Sequence, residues 1–129
     1  MAFPFDFGFI TGTLGDDGDP LDVLLLMEQP AFVGCLVPST AIGVIEAKQT
    51  EEGKTIRNDR LIAVAAESNI YKGVTSIREL HENVLGEIEH FFVAYNEMSE
   101  KRFVPIGRGS ADKAIELIKE GHSRHKHKN

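Results

Sequence analysis

The sequence predicts an α+β protein that is mainly β, with strands in the first half of the chain and two helices in the second. Short apolar runs bounded by Pro, Gly and acidic residues occupy much of residues 3–66, which is typical of buried strands. From residue 77 onward apolar residues recur every three or four positions, which is typical of amphipathic helices. With 129 residues, 42% of them hydrophobic, the chain can form one core and not two.

The predicted strands follow the apolar runs in chain order: residues 3–10, 23–27, 32–37, 41–47 and 60–66. The first run is rich in aromatic residues, and the second is apolar throughout, which suits a buried strand. Residues 50–58 are polar and charged, so we expect an exposed loop or the end of a hairpin there.

Two helices are predicted after residue 75. In the first, the apolar positions are Ile77, Leu80, Val84, Ile88, Phe91 and Tyr95. Either Ser76 and Glu79 form a capping box, or a short first turn ends near His81 and the main helix starts there. The second helix covers residues 111–120 and ends at Gly121. We therefore expect a single domain over residues 1–121 and a disordered polar tail over residues 122–129.

The charge balance and the single cysteine restrict the class of protein. There are 14 basic and 20 acidic residues, and the net charge of −6 disfavours binding to nucleic acid through its phosphates. An acidic protein is suited instead to concentrating cations in a cleft. Cys35 cannot form an internal disulfide, and its place in the apolar run 31–37 predicts a buried thiol. With no secretory leader pattern and no apolar stretch of membrane-spanning length, we expect a cytoplasmic protein without a membrane partner.

The densest cluster of charge is at residues 16–22, where four carboxylates occupy seven positions just ahead of an apolar run. Hard divalent cations such as Mg²⁺ take carboxylate oxygens, waters and phosphate oxygens as ligands. In an extended segment Asp17 and Asp19 would point to one side, and Asp22 would stand at the mouth of the next strand. The alternative is an Asp-Gly hairpin turn between residues 7–11 and 23–26. The residues alone leave both interpretations open.

Four segments together resemble the family I soluble inorganic pyrophosphatases. The sequence DGDPLD at residues 17–22 matches the signature of that family. FPFDFGFI at residues 3–10 resembles the aromatic strand before the signature, and NDRLIAV at residues 58–64 resembles a second acidic and basic strand. HFF at residues 90–92, followed by Tyr95, resembles the helix motif of the family. The resemblance extends from residue 3 to about residue 105, with the motifs in the family's order.

The resemblance implies an OB-like barrel, closed or partly open, of mixed strands with two C-terminal helices packed outside. It also implies hydrolysis of pyrophosphate to two phosphates with several Mg²⁺ ions, for which Mn²⁺ is a possible substitute. The family further implies a homo-oligomer.

The resemblance assigns six residues to metal binding: Asp17, Asp19, Asp22, Asn58, Asp59 and Glu52. Asp19 stands where the family has the carboxylate that activates the attacking water, so it is also the expected general base. Asn58 stands where a metal-binding Asp is usual, and Glu52 is a looser match on a loop of different length. Arg60 and Tyr95 match phosphate-contacting residues.

The chain also departs from the family pattern. Phe3 and Phe7 replace Tyr residues, Asn96 replaces a Lys, and Asn58 is neutral where a carboxylate is usual. Family members carry several tens of residues before the aromatic strand, which supply barrel strands and a Glu, a Lys and an Arg of the site. A shortened barrel would leave an unpaired edge, so we expect an oligomer or a chain of low stability. The alternatives to an active enzyme are a catalytically impaired, truncated homologue that binds Mg²⁺ or phosphate, and a structural partner of a full-length relative.

Overall fold

Six strands and two helices make up the computed structural model, which describes residues 5–28 and 34–127. The elements in chain order are β1 Phe5–Phe9, β2 Asp22–Leu26, β3 Ser39–Glu51, β4 Lys54–Arg57, β5 Arg60–Ala65, a 3₁₀ turn Ile77–Glu79, α1 Glu82–Met98, β6 Arg102–Gly109 and α2 Ala111–Lys126. Four of the predicted strands and both predicted helices are present. Residues 1–4 of the predicted first strand lie outside the described residues.

The strands form one mixed sheet in the order β1-β2-β5-β3-β4, with β6 paired to β3 as well. Strands β2 and β5 run parallel, with Val23 opposite Leu61, and the other pairs are antiparallel. Because β2 begins at Asp22 and β5 begins at Arg60, these two polar residues start neighbouring parallel strands. The sheet does not close on itself within the described residues, so the partly open form of the predicted fold is confirmed.

Each face of the sheet carries its own layer of apolar side chains. One layer packs under α1 and the 3₁₀ turn and includes Leu24, Leu26, Ile42, Ile62, Ile88, Phe92 and Phe103. The other packs under α2 and includes Val23, Leu25, Val44, Leu61, Ala63 and Ala114. Strand β2 contributes to both layers, which explains why its sequence is apolar throughout instead of alternating. Neither described helix is long and apolar enough to cross a membrane.

The segment around Cys35 differs from its prediction. Residues 34–37 form no strand, Cys35 is exposed, and Leu36 is 79% exposed. Gly34 has a positive φ of 89°, which belongs to a turn, and residues 35–37 pair with none of the described strands. The predicted strand at residues 32–37 and the buried thiol are therefore wrong as far as the chain is described; residues 29–33 lie outside it.

The second of the two predicted starts of the first helix is correct. Ser76 caps the 3₁₀ turn by accepting a hydrogen bond from the Arg78 backbone N–H at 3.2 Å. His81 then caps α1, where its Nδ1 accepts from the Asn83 backbone N–H at 3.0 Å. Glu79 accepts hydrogen bonds from Thr75, so there is no capping box with Ser76.

Strand β6 was not predicted from the sequence. It contains Pro105, and a Pro within a run argues against a central strand. In the structure β6 pairs only with β3 among the described strands, and Pro105 lies opposite Ala47 where the register shifts. An edge strand with a bulge accepts a residue that has no N–H.

Helix α2 continues to Lys126, so the predicted end at Gly121 and the disordered tail from residue 122 are wrong for the described residues. Gly121 lies inside the helix, where it allows a close approach. A Cβ there would stand 2.8 Å from Leu21 Cδ1 and 3.0 Å from Thr13 Cβ. This Gly is explained by packing against the β1–β2 loop and not by a helix end.

Candidate active site

The loop that carries the clustered aspartates is folded into a compact turn. The Gly15 backbone N–H donates to Asp19 O at 2.7 Å, and the Gly18 N–H donates to Gly15 O at 3.1 Å. Gly18 has a positive φ of 85°, and Asp17 Oδ1 accepts from the Asp19 N–H at 3.0 Å. The turn interpretation is therefore correct for the backbone, and the extended segment is wrong. Strands β1 and β2 pair antiparallel on either side of this loop.

The turn forms one wall of a small acidic cavity with a volume of about 60 Å³. Five carboxylate residues line it: Asp16, Asp17, Asp22, Asp59 and Glu120. The other polar side chains of its lining are Arg57, Asn58 and Arg124. Four of the six predicted metal ligands therefore line one cavity, Asp17, Asp22, Asn58 and Asp59, and their role in metal binding stays a prediction. Asp19 lies exposed on the same turn and does not line this cavity.

The first residues of the parallel strands β2 and β5 form an ion pair. Arg60 is only 9% exposed, and its Nη1 donates to the Asp22 carboxylate. Its Nη2 donates to Gln49 Oε1 at 3.0 Å. The guanidinium lies 5.6 Å from the ring centroid of Phe92 and 5.5 Å from that of Phe103, within cation–π range. These contacts hold Arg60 in one orientation at the floor of the site.

Burial has left one donor of Arg60 unused. Among the buried side-chain nitrogen and oxygen atoms of residues 5–28 and 34–127, Arg60 Nε is the one without a hydrogen-bond partner. Burial also lowers the pKa of the Arg60 guanidinium, while the nearby Asp17 carboxylate acts in the opposite direction. An Arg keeps its charge through such a shift, so the site contains a fixed cation with a free N–H.

A second, larger cavity of about 350 Å³ lies beside the acidic one. Asp22 lines both cavities, and Arg60 and Lys101 bring positive charge to the second. Lys101 Nζ stands 3.8 Å from Glu51 Oε2, a loose ion pair that leaves the ammonium free to turn toward an anion. Carboxylates thus outnumber the two Arg residues in the first cavity, cations outnumber the one carboxylate in the second, and the two cavities meet at Asp22.

Aromatic residues form the outer wall of the second cavity. The Tyr95 ring packs 5.6 Å from the Phe7 ring and 5.8 Å from the Phe91 ring, and the residue is 54% exposed. Its ring is therefore packed while the residue stays open to solvent, as its place on the apolar stripe indicated. Asn96 is buried and donates from Nδ2 to Phe92 O at 2.7 Å, so its side chain is committed to the helix.

Asn58 and Asp59 form the connection between β4 and β5, and their side chains contact different partners. Asn58 Nδ2 donates to Gln49 Oε1 at 3.1 Å, so this amide oxygen joins Asn58 to Arg60. Asp59 Oδ1 accepts from Arg57 Nε at 2.6 Å and from the Ala47 N–H at 3.0 Å. One oxygen of Asp59 is therefore occupied at the bulge of β3.

Glu52 is not brought to either cavity. It lies exposed at the tip of the β3–β4 hairpin, where Glu52 and Gly53 have positive φ values of 51° and 76°. Positive φ at both central residues is the geometry of a type I′ hairpin turn. The polar segment 50–58 is thus a hairpin, the second of its two predicted forms.

Sequence reasoning missed Gln49, Lys101 and Arg124. Gln49 is buried, and the alternation of exposed Lys48 with buried Ala47 and Gln49 would have indicated this if β3 had been extended past Ala47. Arg124 was missed because its segment was expected to be disordered. For Lys101 we find no local signal, since only the fold brings the end of α1 to Arg60.

Comparison with known proteins agrees with this geometry. A family model described as inorganic pyrophosphatase matches residues 1–126. This chain belongs to the family I soluble inorganic pyrophosphatases. The family is one of enzymes. An inorganic pyrophosphatase from Synechocystis sp. is 35% identical over 93% of this chain and 69% of its own length. One from Methanosarcina acetivorans is 31% identical over 100% of this chain and 74% of its own.

Solved pyrophosphatase structures share the fold. The inorganic pyrophosphatase from Helicobacter pylori superposes with a TM-score of 0.83 at 26% identity, covering 96% of this chain and 72% of its own. The one from Thermus thermophilus superposes with a TM-score of 0.81 at 30% identity, covering 93% and 68%. The resemblance seen in the sequence is therefore confirmed.

The carboxylates of this pyrophosphatase chain can be tested against the needs of Mg²⁺. Where the chain is described, no three or more His, Cys, Asp or Glu side chains converge closely enough to hold a metal. Mg²⁺ usually keeps several waters and takes one or two carboxylates. Asp17 and Asp22 line the same cavity and can supply these one or two carboxylates, although Asp22 is also paired with Arg60. The donor set therefore fits a largely hydrated ion.

Proposed function

We propose that this chain is an Mg²⁺-dependent inorganic pyrophosphatase that hydrolyses pyrophosphate to two phosphates, with Asp19 as general base. The observation that carries the proposal is the meeting of a carboxylate-lined cavity and a cation-lined cavity at the Asp22–Arg60 pair. A phosphoanhydride hydrolase needs both, because it must bind metal ions and the anionic substrate side by side. A cytoplasmic location remains part of the proposal.

On the acidic side, Asp17 and Asp22 would hold Mg²⁺, with Asn58 and Asp59 at the edge of the same cavity. Mg²⁺ there would acidify a water and offset negative charge on the phosphoryl oxygens. Glu52 could take part only if its hairpin bent toward the cavity. Asp19 would accept the proton of the attacking water from its exposed place beside Asp17. Mn²⁺, which also prefers oxygen ligands, is proposed as a substitute.

On the cationic side, the guanidinium of Arg60, which lines the larger cavity, would donate an N–H to a phosphoryl oxygen. Lys101 would add a second positive charge, and the Tyr95 hydroxyl would donate a hydrogen bond from the rim. Gln49 and two aromatic rings already hold this cation in place, so little reorganisation energy is needed when the anion binds. Such preorganisation is the condition for strong electrostatic stabilisation.

Phosphate release by the purified chain tests the proposal. We expect turnover of pyrophosphate with Mg²⁺ present, none after chelation with EDTA, and recovery on adding Mg²⁺ or Mn²⁺. Absence of turnover over a range of Mg²⁺ concentrations would refute the proposed enzymatic activity. Calorimetry with Mg²⁺ and with inorganic phosphate on the same preparation then tests for binding without catalysis.

The second candidate function is a catalytically impaired homologue that binds Mg²⁺ or phosphate. One observation favours it: three carboxylates of the acidic cavity are already paired with Arg, as Asp16–Arg124, Asp22–Arg60 and Asp59–Arg57. Each pair opposes metal binding, because the cation must displace or share the guanidinium. A structural partner of a longer relative is the third candidate, and mixing with such a relative would test it.

Replacing Arg60 with Lys should raise KM for pyrophosphate about tenfold, since a hydrogen bond to a charged group contributes about 1.5 kcal/mol. Lys keeps the charge but cannot donate to Asp22, Gln49 and a phosphoryl oxygen from one planar group. Initial rates over a range of pyrophosphate concentrations measure the effect. Arg102→Lys, at an exposed residue that lines neither cavity, is the matched control. Equal KM values for the two variants would contradict a substrate contact at Arg60.

We also propose a homo-oligomer. Strands β1, β4 and β6 each pair with one neighbour among the described strands, so each has a free edge that another chain could cover. Light scattering on the purified chain should give a mass that is a multiple of the monomer mass. A stable monomer at micromolar concentration would contradict this expectation.

A further inference from the structure

The end of α2 is fastened to the loop that carries the clustered aspartates. The Leu14 N–H donates to Gly121 O at 3.0 Å, and His122 Nδ1 lies 2.7 Å from Gly12 O. Arg124 Nη1 donates to Leu14 O at 3.3 Å. Three successive points on the helix thus contact backbone atoms of one short segment that is more than a hundred residues away in sequence.

Arg124 makes a further contact with the acidic cluster itself. Its Nη2 stands 2.8 Å from Asp16 Oδ1, and a second carboxylate, Glu120, lies 4.0 Å from the same nitrogen. Asp16 directly precedes Asp17, and these residues line the acidic cavity together with Arg124 and Glu120. The guanidinium therefore bridges a backbone carbonyl and a side chain of the loop at the wall of the cavity.

The charges of the loop show why such a bridge matters. Four carboxylates within seven positions repel one another. Two ion pairs neutralise the ends of the cluster, where Asp16 meets Arg124 and Asp22 meets Arg60. Asp17 and Asp19 lie between these fixed ends. Loss of either ion pair would let the loop change its conformation so that the repelling carboxylates move apart.

We infer that Arg124 is a positioning residue of the metal site: it holds the loop so that Asp17 faces the cavity that Asp22 also lines. The inference rests on the proposed function, because it assigns to Arg124 a part in Mg²⁺ binding that it exerts through Asp16 and Leu14. Arg124 itself contributes no ligand atom.

The direction of the effect separates positioning from simple charge. A positive charge beside a cation site weakens cation binding, so its removal would tighten Mg²⁺ binding if charge were all that mattered. Loss of a group that orients metal ligands weakens binding instead, by about 10–100-fold in known metal sites. Lys at this position would keep the charge, but it has one nitrogen where Arg124 uses two, Nη1 for Leu14 O and Nη2 for Asp16.

The experiment compares Arg124→Gln and Arg124→Lys with the original chain, and Lys119→Gln on an exposed position of α2 serves as the charge-matched control. Calorimetry with MgCl₂ should give about tenfold weaker binding for Arg124→Gln, an intermediate value for Arg124→Lys, and no change for the control. Hydrogen exchange in the metal-free protein should be faster at the backbone amides of residues 14–19 in Arg124→Gln alone. Unchanged or tighter Mg²⁺ binding by Arg124→Gln would overturn the inference.

The two readouts distinguish failure of the inference from failure of the proposed function. If the original chain binds no Mg²⁺, the proposed metal dependence fails, and the exchange rates alone report on Arg124. Faster exchange in Arg124→Gln would then still support its hold on the loop. Unchanged exchange would overturn that hold whether or not Mg²⁺ binds.

Discussion

Asp19→Asn should lower the turnover of pyrophosphate by about 10²–10⁴-fold, the usual contribution of a general base. The amide has the size of the carboxylate but cannot accept a proton from water. The fold should be unaffected, because Asp19 is exposed and its contacts within the turn use backbone atoms, the N–H to Asp17 Oδ1 and the carbonyl to Gly15. Phosphate release at saturating pyrophosphate measures the loss.

The same variant separates two roles for Asp19. If its carboxylate binds Mg²⁺, a higher Mg²⁺ concentration should restore much of the lost rate, whereas loss of a general base is not repaired by more metal. Glu116→Gln, on the exposed face of α2 and away from both cavities, is the matched control. Turnover equal to that of the control would exclude Asp19 from the reaction.

Phe92→Ala should lower the free energy of unfolding by about 3–5 kcal/mol, the usual cost of deleting a fully buried aromatic ring. Phe92 is 2% exposed, and its ring centroid lies 5.5 Å from those of Phe7 and of Phe103. It also supports the Arg60 guanidinium at 5.6 Å. Small domains have free energies of unfolding of about 5–15 kcal/mol, so this single change would remove a large part of the stability.

Urea unfolding followed by circular dichroism measures the change in stability. Phe91→Ala is the control, because its ring is on the same helix and in the same aromatic group but only half-buried. We expect a clearly smaller loss there. A loss below about 1 kcal/mol for Phe92→Ala would contradict the view that this ring joins the core to the floor of the site. Phe92→Leu, which fills part of the volume, should recover part of the stability.

The parts of the fold that could be predicted are those in which local sequence and tertiary environment agree. Strands β2 and β5 are apolar and flanked by polar residues. The helical period of α1 is correct, but the helix buries Leu85, Ile88, Phe92 and Asn96, so apart from Ile88 its buried positions lie one residue beyond the predicted stripe. The run that contains Cys35 looks similar in sequence, but residues 34–37 pair with none of the described strands. An apolar run becomes a strand only when another strand is available, and the sequence near Cys35 does not contain that information.

The sequence indicated which residues share a cavity only where they belong to recognisable motifs, at residues 17–22 and 58–64. Asp17, Asp22, Asn58 and Asp59 do meet at a common cavity. Lys101 and Arg124 approach the site through contacts between distant segments, and no local pattern announces such contacts. Gly121 was assigned to a helix end because Gly has two uses, a terminal left-handed residue and a close approach, and only the packed neighbours decide between them.

The attachment of Gly12 and Leu14 to His122 and Arg124 has a consequence for synthesis of the chain. These contacts span 110 residues, so they cannot form until residue 124 has left the ribosome. The nascent protein therefore carries its DGDPLD segment without this support during most of translation. We expect ribosome-bound chains stalled before α2 has emerged to be cut readily by protease near residue 15, and released, folded chains to resist.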